Sequence, residues 1–210
     1  MSFDTLPPLL HSAFPPSGVP EAFVPHLIAL QKVLDEEIEP AAAEVDARGR
    51  YPAAAVEALK RSGILKTAVP VAFGGAGAPH RVSLEAQVRI AIADSSVAQV
   101  FKIHDELVRE IFVYAPDALR PRLAKAIIED NAIIGLAVAE AGRKVDDPLK
   151  TTATLQPDGG FIVDGRKIYT TGPRRPISSQ YGRSIPRRRA YRKTLWSERR
   201  STLRPRDRRA

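Results

Sequence analysis

Near residue 132 the spacing of apolar residues changes from helical to strand-like. Upstream, Leu27, Leu30, Leu34 and Ile38 form one stripe of a helix beginning at about Pro25, with Asp35, Glu36, Glu37 and Glu39 largely off it as a solvated face. Pro40 is expected to kink this helix, because proline removes a backbone donor. A second helix over about 53–61 ends at Gly63, a C′ residue. Helices over about 83–93, 96–114 and 117–129 follow. Val97, Phe101, His104, Val108 and Ile111 share one face of the longest, and Leu119, Leu123 and Ile127 align on the last. Residues 65–79 read as a loop in which Gly74, Gly75 and Gly77 offer positions of positive φ. Downstream, 133–139, 151–155, 161–163 and 166–171 read as strands, with a turn at 157–160. The expected fold class is α+β, an all-α N-terminal domain followed by the beginning of an antiparallel β domain.

Four segments follow from this reading. Residues 1–20 are an irregular lead-in set by five prolines, 21–131 the helical domain, 132–172 a partial β domain, and 173–210 a basic tail. Residues 1–172 hold 18 Lys and Arg against 22 Asp and Glu, a net of −4, whereas 173–210 hold 14 against 2, a net of +12. The overall +8 therefore describes the tail and not the folded body. The tail loses all apolar periodicity and is expected to be disordered. It reads either as a basic arm for nucleic acid or anionic lipid, or as GC-rich DNA translated out of frame after Gly172, and the abruptness of the change favours the second.

Several chemistries are excluded. With no cysteine there is no disulfide, thiol nucleophile or thiolate metal site, which fits a cytoplasmic protein. The first basic residue is Lys32 and the longest apolar run, 132–139, is too short to cross a bilayer, so neither a signal peptide nor a membrane span is expected. Gly74–Gly77 lacks the Lys-Ser/Thr of a nucleotide P-loop. Asp146-Asp147 reads as a turn with no histidine beside it, and no metal site is expected.

Three runs carry a resemblance. They are Ala58-Leu59-Lys60-Arg61-Ser62-Gly63-Ile64-Leu65 with Val69-Pro70 and Gly74-Gly75-Ala76-Gly77; Gly135-Leu136-Ala137-Val138-Ala139-Glu140; and 149–154 with 158–172, ending Tyr169-Thr170-Thr171-Gly172. In order and spacing they resemble the acyl-CoA dehydrogenase superfamily. The resemblance implies a flavin, FAD or FMN, whose ring the protein positions and tunes. It places Leu136, Val138 and Ala139 at the pyrimidine side, and Tyr169 and Thr171 at the other face and N5 region. It also implies a small-molecule substrate and a homotetramer. The family's C-terminal bundle, with its glutamate base, has no counterpart in 173–210, so flavin binding is expected to be weak or absent.

Two departures shift the reading within the superfamily. After Glu140 the run is Ala141-Gly142-Arg143-Lys144, without the serine of the dehydrogenases, and the later motif is Tyr-Thr-Thr-Gly. Both are similar to the flavin-dependent monooxygenases of this fold, such as the dibenzothiophene and sulfone enzymes, which take reduced flavin from a separate reductase. By that resemblance His104 is the candidate catalytic residue, because a near-neutral imidazole can hydrogen-bond an oxygen species or a phenol. Beside it stands the plainer reading of a core histidine satisfied by its neighbours. His11, His26 and His80 are expected at the surface. The alternatives are an acyl-CoA dehydrogenase and, in another class, a non-catalytic nucleic-acid binder acting through the tail.

The frame reading makes a direct prediction. Translating the coding DNA beyond the Gly172 codon in the other two frames should yield family-like strands and helices. If neither frame does so, the out-of-frame reading is wrong.

Overall fold

The computed structural model describes residues 18–144, 146–157, 161–172 and 191–193. The lead-in through residue 17, His11, residues 158–160 of the expected turn, and most of the basic tail lie outside the described residues. The chain divides into two compact units, 18–138 with 169–172, and 139–168 with 191–193.

The first unit is helical. α1 (Val24–Val33) continues through a π turn (Leu34–Ile38) into α2 (Glu39–Ala47). The expected disturbance at Pro40 takes this form. The Glu39 N–H reaches back to the Leu34 carbonyl, five residues away, and the widened turn relieves the crowding that a proline ring imposes on the turn before it. The stripe Leu27, Leu30, Leu34 and Ile38 is buried, and the carboxylates of 35–37 and 39 are exposed. Two of them find partners, Asp35 accepting from Gln31 and Glu37 pairing with Arg61.

α3 (Ala53–Ser62) stops at Gly63, which takes φ +78 and leads into a 3₁₀ turn (Ile64–Lys66). α4 (His80–Ala93) and α5 (Ser95–Tyr114) meet at Asp94, whose carboxylate caps α5 by accepting from Ser96 N at 2.7 Å and Val97 N at 3.1 Å. α6 (Arg120–Ile128) follows. The main core joins the α1 stripe to Leu59, Ile90, Val97 and Phe101, and a smaller one joins Val69 and Val108 to Ala124 and Ile127. Burial of these side chains contributes about 1.5–3 kcal/mol each before entropy is counted.

The loop of 65–79 is tightly closed. Gly74 and Gly77 have φ of +84 and +62, as their type allows. Gly75 N donates to Pro70 O at 3.2 Å and Gly77 N to Val69 O at 2.9 Å, so these amides are spent inside the loop.

The second unit holds β1 (Thr152–Leu155) and β2 (Phe161–Asp164), antiparallel in the register Thr152↔Asp164, with β3 (Tyr191–Lys193) antiparallel on β2. β1 is exposed along its length. The base of the sheet is organised by Glu140. That carboxylate accepts from Lys150 N at 2.6 Å, Thr151 N at 2.9 Å, Thr151 Oγ1 at 2.5 Å and Lys167 Nζ at 2.7 Å. The hydrogen bond from Lys167, with those from Thr151 and Lys150, holds its pKa down at about 2.

Two expected strands differ. Residues 133–139 and 166–171 are irregular and share one antiparallel bridge, Leu136↔Thr171. A ladder needs successive pairs, and only this pair forms. Beside it the backbones close up: a Cβ on Gly172 would lie 2.6 Å from Gly135 Cα.

Gly75 gives the sharpest test of this packing. A Cβ there would lie 2.0 Å from the Val69 carbonyl oxygen. Gly75→Ala should lower stability by about 3 kcal/mol in urea denaturation, because the clash is with backbone and cannot be relieved by a rotamer change.

Candidate functional site

His104 sits on the buried face of α5, with no solvent exposure. The face is set by helical spacing, since Val97, Phe101 and Val108 occupy the same stripe and are buried with it. Both ring nitrogens meet main chain. Nε2 lies 2.8 Å from the Leu65 carbonyl oxygen, and Nδ1 accepts from the Ile134 N–H at 3.0 Å. An N–H can only donate, so Nδ1 carries no proton. The neutral ring is protonated at Nε2 and donates to Leu65. Burial pushes its pKa below 6.5, opposed by the Leu65 carbonyl and the Asp105 charge. The arrangement matches the plainer of the two sequence readings, a core histidine satisfied by its neighbours. Proton transfer through His104 would require one of its two main-chain bonds to open.

Two of the five residues assigned to the flavin, Leu136 and Thr171, pair at the single bridge. Leu136 N donates to Thr171 O at 2.9 Å and Thr171 N to Leu136 O at 3.0 Å. Leu136 and Thr171 are therefore directly opposite and share a face. Val138 and Tyr169 lie two residues further along the same two segments, beyond the paired residues. Leu136, Val138 and Tyr169 are open to solvent, with exposures of 39%, 52% and 74%. Thr171 adds one hydroxyl. Ala139 belongs to the second unit, is exposed, and its carbonyl accepts from Ile168 N at 3.0 Å. Exposed apolar side chains beside a hydroxyl give a surface on which a flat heteroaromatic ring can lie, so the residues present fit a flavin edge.

The partners of His104 were not legible in the sequence, because the Leu65 carbonyl and the Ile134 N–H are backbone groups. The Glu140 hub was missed for a different reason. Its partners Lys150, Thr151 and Lys167 are 10 to 27 residues away, and no local pattern marks them. Of the other histidines, His80 is exposed at the start of α4, and His26 is half-buried in α1 against the Phe23 ring. Asp147 makes a turn by accepting from Lys144 N at 2.8 Å, as expected. Among the described residues no cluster of His, Asp and Glu could hold a metal ion, and no helix is long and apolar enough to cross a membrane.

The depressed pKa of His104 has a signed consequence. The unfolded chain binds a proton here as pH falls through about 6.5, and the folded chain does so only at lower pH. The contribution of the neutral ring is thus fully present above pH 6.5 and is lost as pH falls below it, with a limiting slope of about 1.4 kcal/mol per unit. His104→Asn should flatten the stability profile between pH 6.5 and 5 in denaturant titrations. An unchanged profile would show that the ring is not held neutral.

Residues 28–130 match the family model for the acyl-CoA dehydrogenase N-terminal domain. A dibenzothiophene monooxygenase of Rhodococcus qingshengii is 31% identical over 145 residues, covering 69% of this chain and 34% of that protein. The solved structure of FMN-bound TdsC from Paenibacillus sp. A11-2 superposes with a TM-score of 0.63 at 26% identity, over 68% of this chain and 35% of that one. Butyryl-CoA dehydrogenase from Megasphaera elsdenii shares the fold, with a TM-score of 0.64 at 20% identity over 72% of this chain and 41% of that one. The chain spans about a third of the length of the curated relatives it matches. Residues 28–130 thus match the acyl-CoA dehydrogenase N-terminal domain, and over that part the chain is similar to members of the acyl-CoA dehydrogenase superfamily.

Proposed function

We propose that this chain supplies the N-terminal part of a flavin-dependent oxidoreductase of the two-component monooxygenase type. The observation that carries the reading is the exposure of Leu136, Val138 and Tyr169 at and beside the Leu136↔Thr171 bridge between 133–139 and 166–171. Monomeric proteins seldom leave neighbouring large apolar side chains open without a use for them. Leu136 and Val138, with Ala139 just beyond, would border the pyrimidine side of the ring. Tyr169 would cover a face, and the Thr171 hydroxyl would donate near N5. When bound, a reduced flavin gives O₂ two electrons, one oxygen atom entering the substrate and the other leaving as water. The protein's part is to bind the ring, orient it and keep water from its reactive edge.

The monooxygenase type is supported by the 31% identity to a dibenzothiophene monooxygenase and the 26% identity to FMN-bound TdsC. Under this reading FMN is the preferred flavin, a separate reductase delivers it reduced, and the working protein is a cytoplasmic homo-oligomer acting on a small molecule. The second reading is an acyl-CoA dehydrogenase, favoured by the butyryl-CoA dehydrogenase fold match.

Flavin fluorescence titration tests the assignment. FMN should bind the wild-type chain more tightly than FAD. Thr171→Val should weaken FMN binding about fivefold, the equivalent of one hydrogen bond of about 1 kcal/mol, with the melting curve unchanged because Thr171 holds the bridge through its backbone. Equal FMN binding by Thr171→Val and Tyr169→Ala would place the flavin elsewhere. Consumption of an acyl-CoA thioester with an electron acceptor and no added reduced flavin would overturn the monooxygenase type.

A further inference from the structure

We propose that His104 is a positioning residue, whose two main-chain bonds set the path of residues 134–138 and so the presentation of the exposed Leu136 and Val138. The clamp itself is carried by geometry within the first unit. Only its consequence for a bound flavin rests on the reading above.

The segment needs such a clamp. Ile133 is buried in the main core, and three residues later Leu136 is 39% exposed. No strand ladder guides this passage, since Leu136↔Thr171 is the one pair formed. Residues 134–136 are therefore held at two points. Ile134 is tied inward to the His104 ring and Leu136 outward to Thr171. Gly135 lies between them, against Gly172, where a side chain on Gly172 has no room.

Imidazole suits this place because it donates on one side and accepts on the other across a rigid ring. The Leu65 carbonyl demands the donor and the Ile134 N–H demands the acceptor, so the two main-chain groups together select one tautomer and one ring orientation. Leu65 is itself fixed by the 3₁₀ turn that follows Gly63 in its left-handed conformation. The ring thus transmits the position of a rigid turn to a segment that lacks regular structure. A leucine would fill the volume and satisfy neither group. An asparagine places its Oδ1 where Nδ1 stands and restores the Ile134 bond alone.

The experiment uses the whole chain labelled with ¹⁵N, with His104→Leu and His104→Asn beside wild type. The wild-type ring should show the side-chain nitrogen signature of a neutral Nε2–H tautomer, which no variant is needed to read. His104→Leu should speed amide exchange at Ile134 and Leu136 at least about tenfold relative to Leu59 and Ala86 in the core, and His104→Asn should restore protection at Ile134. On adding millimolar FMN, amide shifts at Leu136 and Thr171 should be present in wild type, lost in His104→Leu and recovered in His104→Asn. Wild-type tautomer and local protection without any FMN shift would keep the clamp and refute the flavin-edge reading. An Nδ1–H tautomer, unchanged exchange at Ile134 in His104→Leu, or equal loosening of the whole helical domain without rescue by asparagine would overturn the proposal.

Discussion

A buried imidazole with a main-chain carbonyl on one side and a main-chain N–H on the other is the joint of the first unit. Leu65 ends the passage from α3 into the glycine loop, Ile134 begins the segment after α6, and both meet α5 through His104. Removing the ring would strand a buried donor and a buried acceptor, at about 1–3 kcal/mol each. The same bonds explain why the ring stays neutral. Protonation would put a second hydrogen on the ring, at Nδ1 and facing the Ile134 N–H, in a fully buried place. A histidine in this position is an orienting group first, and any proton chemistry has to work against its packing.

The rest of the helical unit follows more ordinary rules. Helical stripes bury against one another, Asp94 caps α5, and Gly63 closes α3. Charges taken into the interior are paired. Glu85 and Arg89 face each other at 2.9 Å with both side chains only 2% exposed, and Gln31 accepts a further bond from Arg89. Such a pair offsets its own desolvation more than it adds stability, and its geometry fixes how α1 and α4 meet. In the second unit, where β1 is exposed throughout, one carboxylate ties residues 150, 151 and 167 together. Glu140 gathers two backbone amides, a hydroxyl and an ammonium group.

The helical unit was legible in the sequence because its signals are local. The α1 stripe, the face of α5 and the stop at Gly63 each depend on spacings of three or four residues or on one residue type. The strands of 152–155 and 161–164 were legible from their turn and alternation. Residues 133–139 and 166–171 were not, because a strand is defined by its partner, and one pair is all they form. The resemblance set Leu136, Val138 and Ala139 at one side of a flavin and Tyr169 and Thr171 at its other face, and the bridge joins one residue of each group, Leu136 and Thr171. The part played by His104 turned on the Leu65 carbonyl and the Ile134 N–H, which every residue except proline carries alike and which therefore leave no mark in a sequence.

The central claim is that the exposed surface at the Leu136–Thr171 bridge receives a flavin. Mapping amide chemical shifts while FMN is titrated into the labelled chain tests it most directly. The account predicts that the largest shifts fall on Leu136, Val138, Tyr169 and Thr171, with Leu59 and Ile90 in the helical core unmoved. Shifts concentrated elsewhere, or none at millimolar FMN, would contradict it.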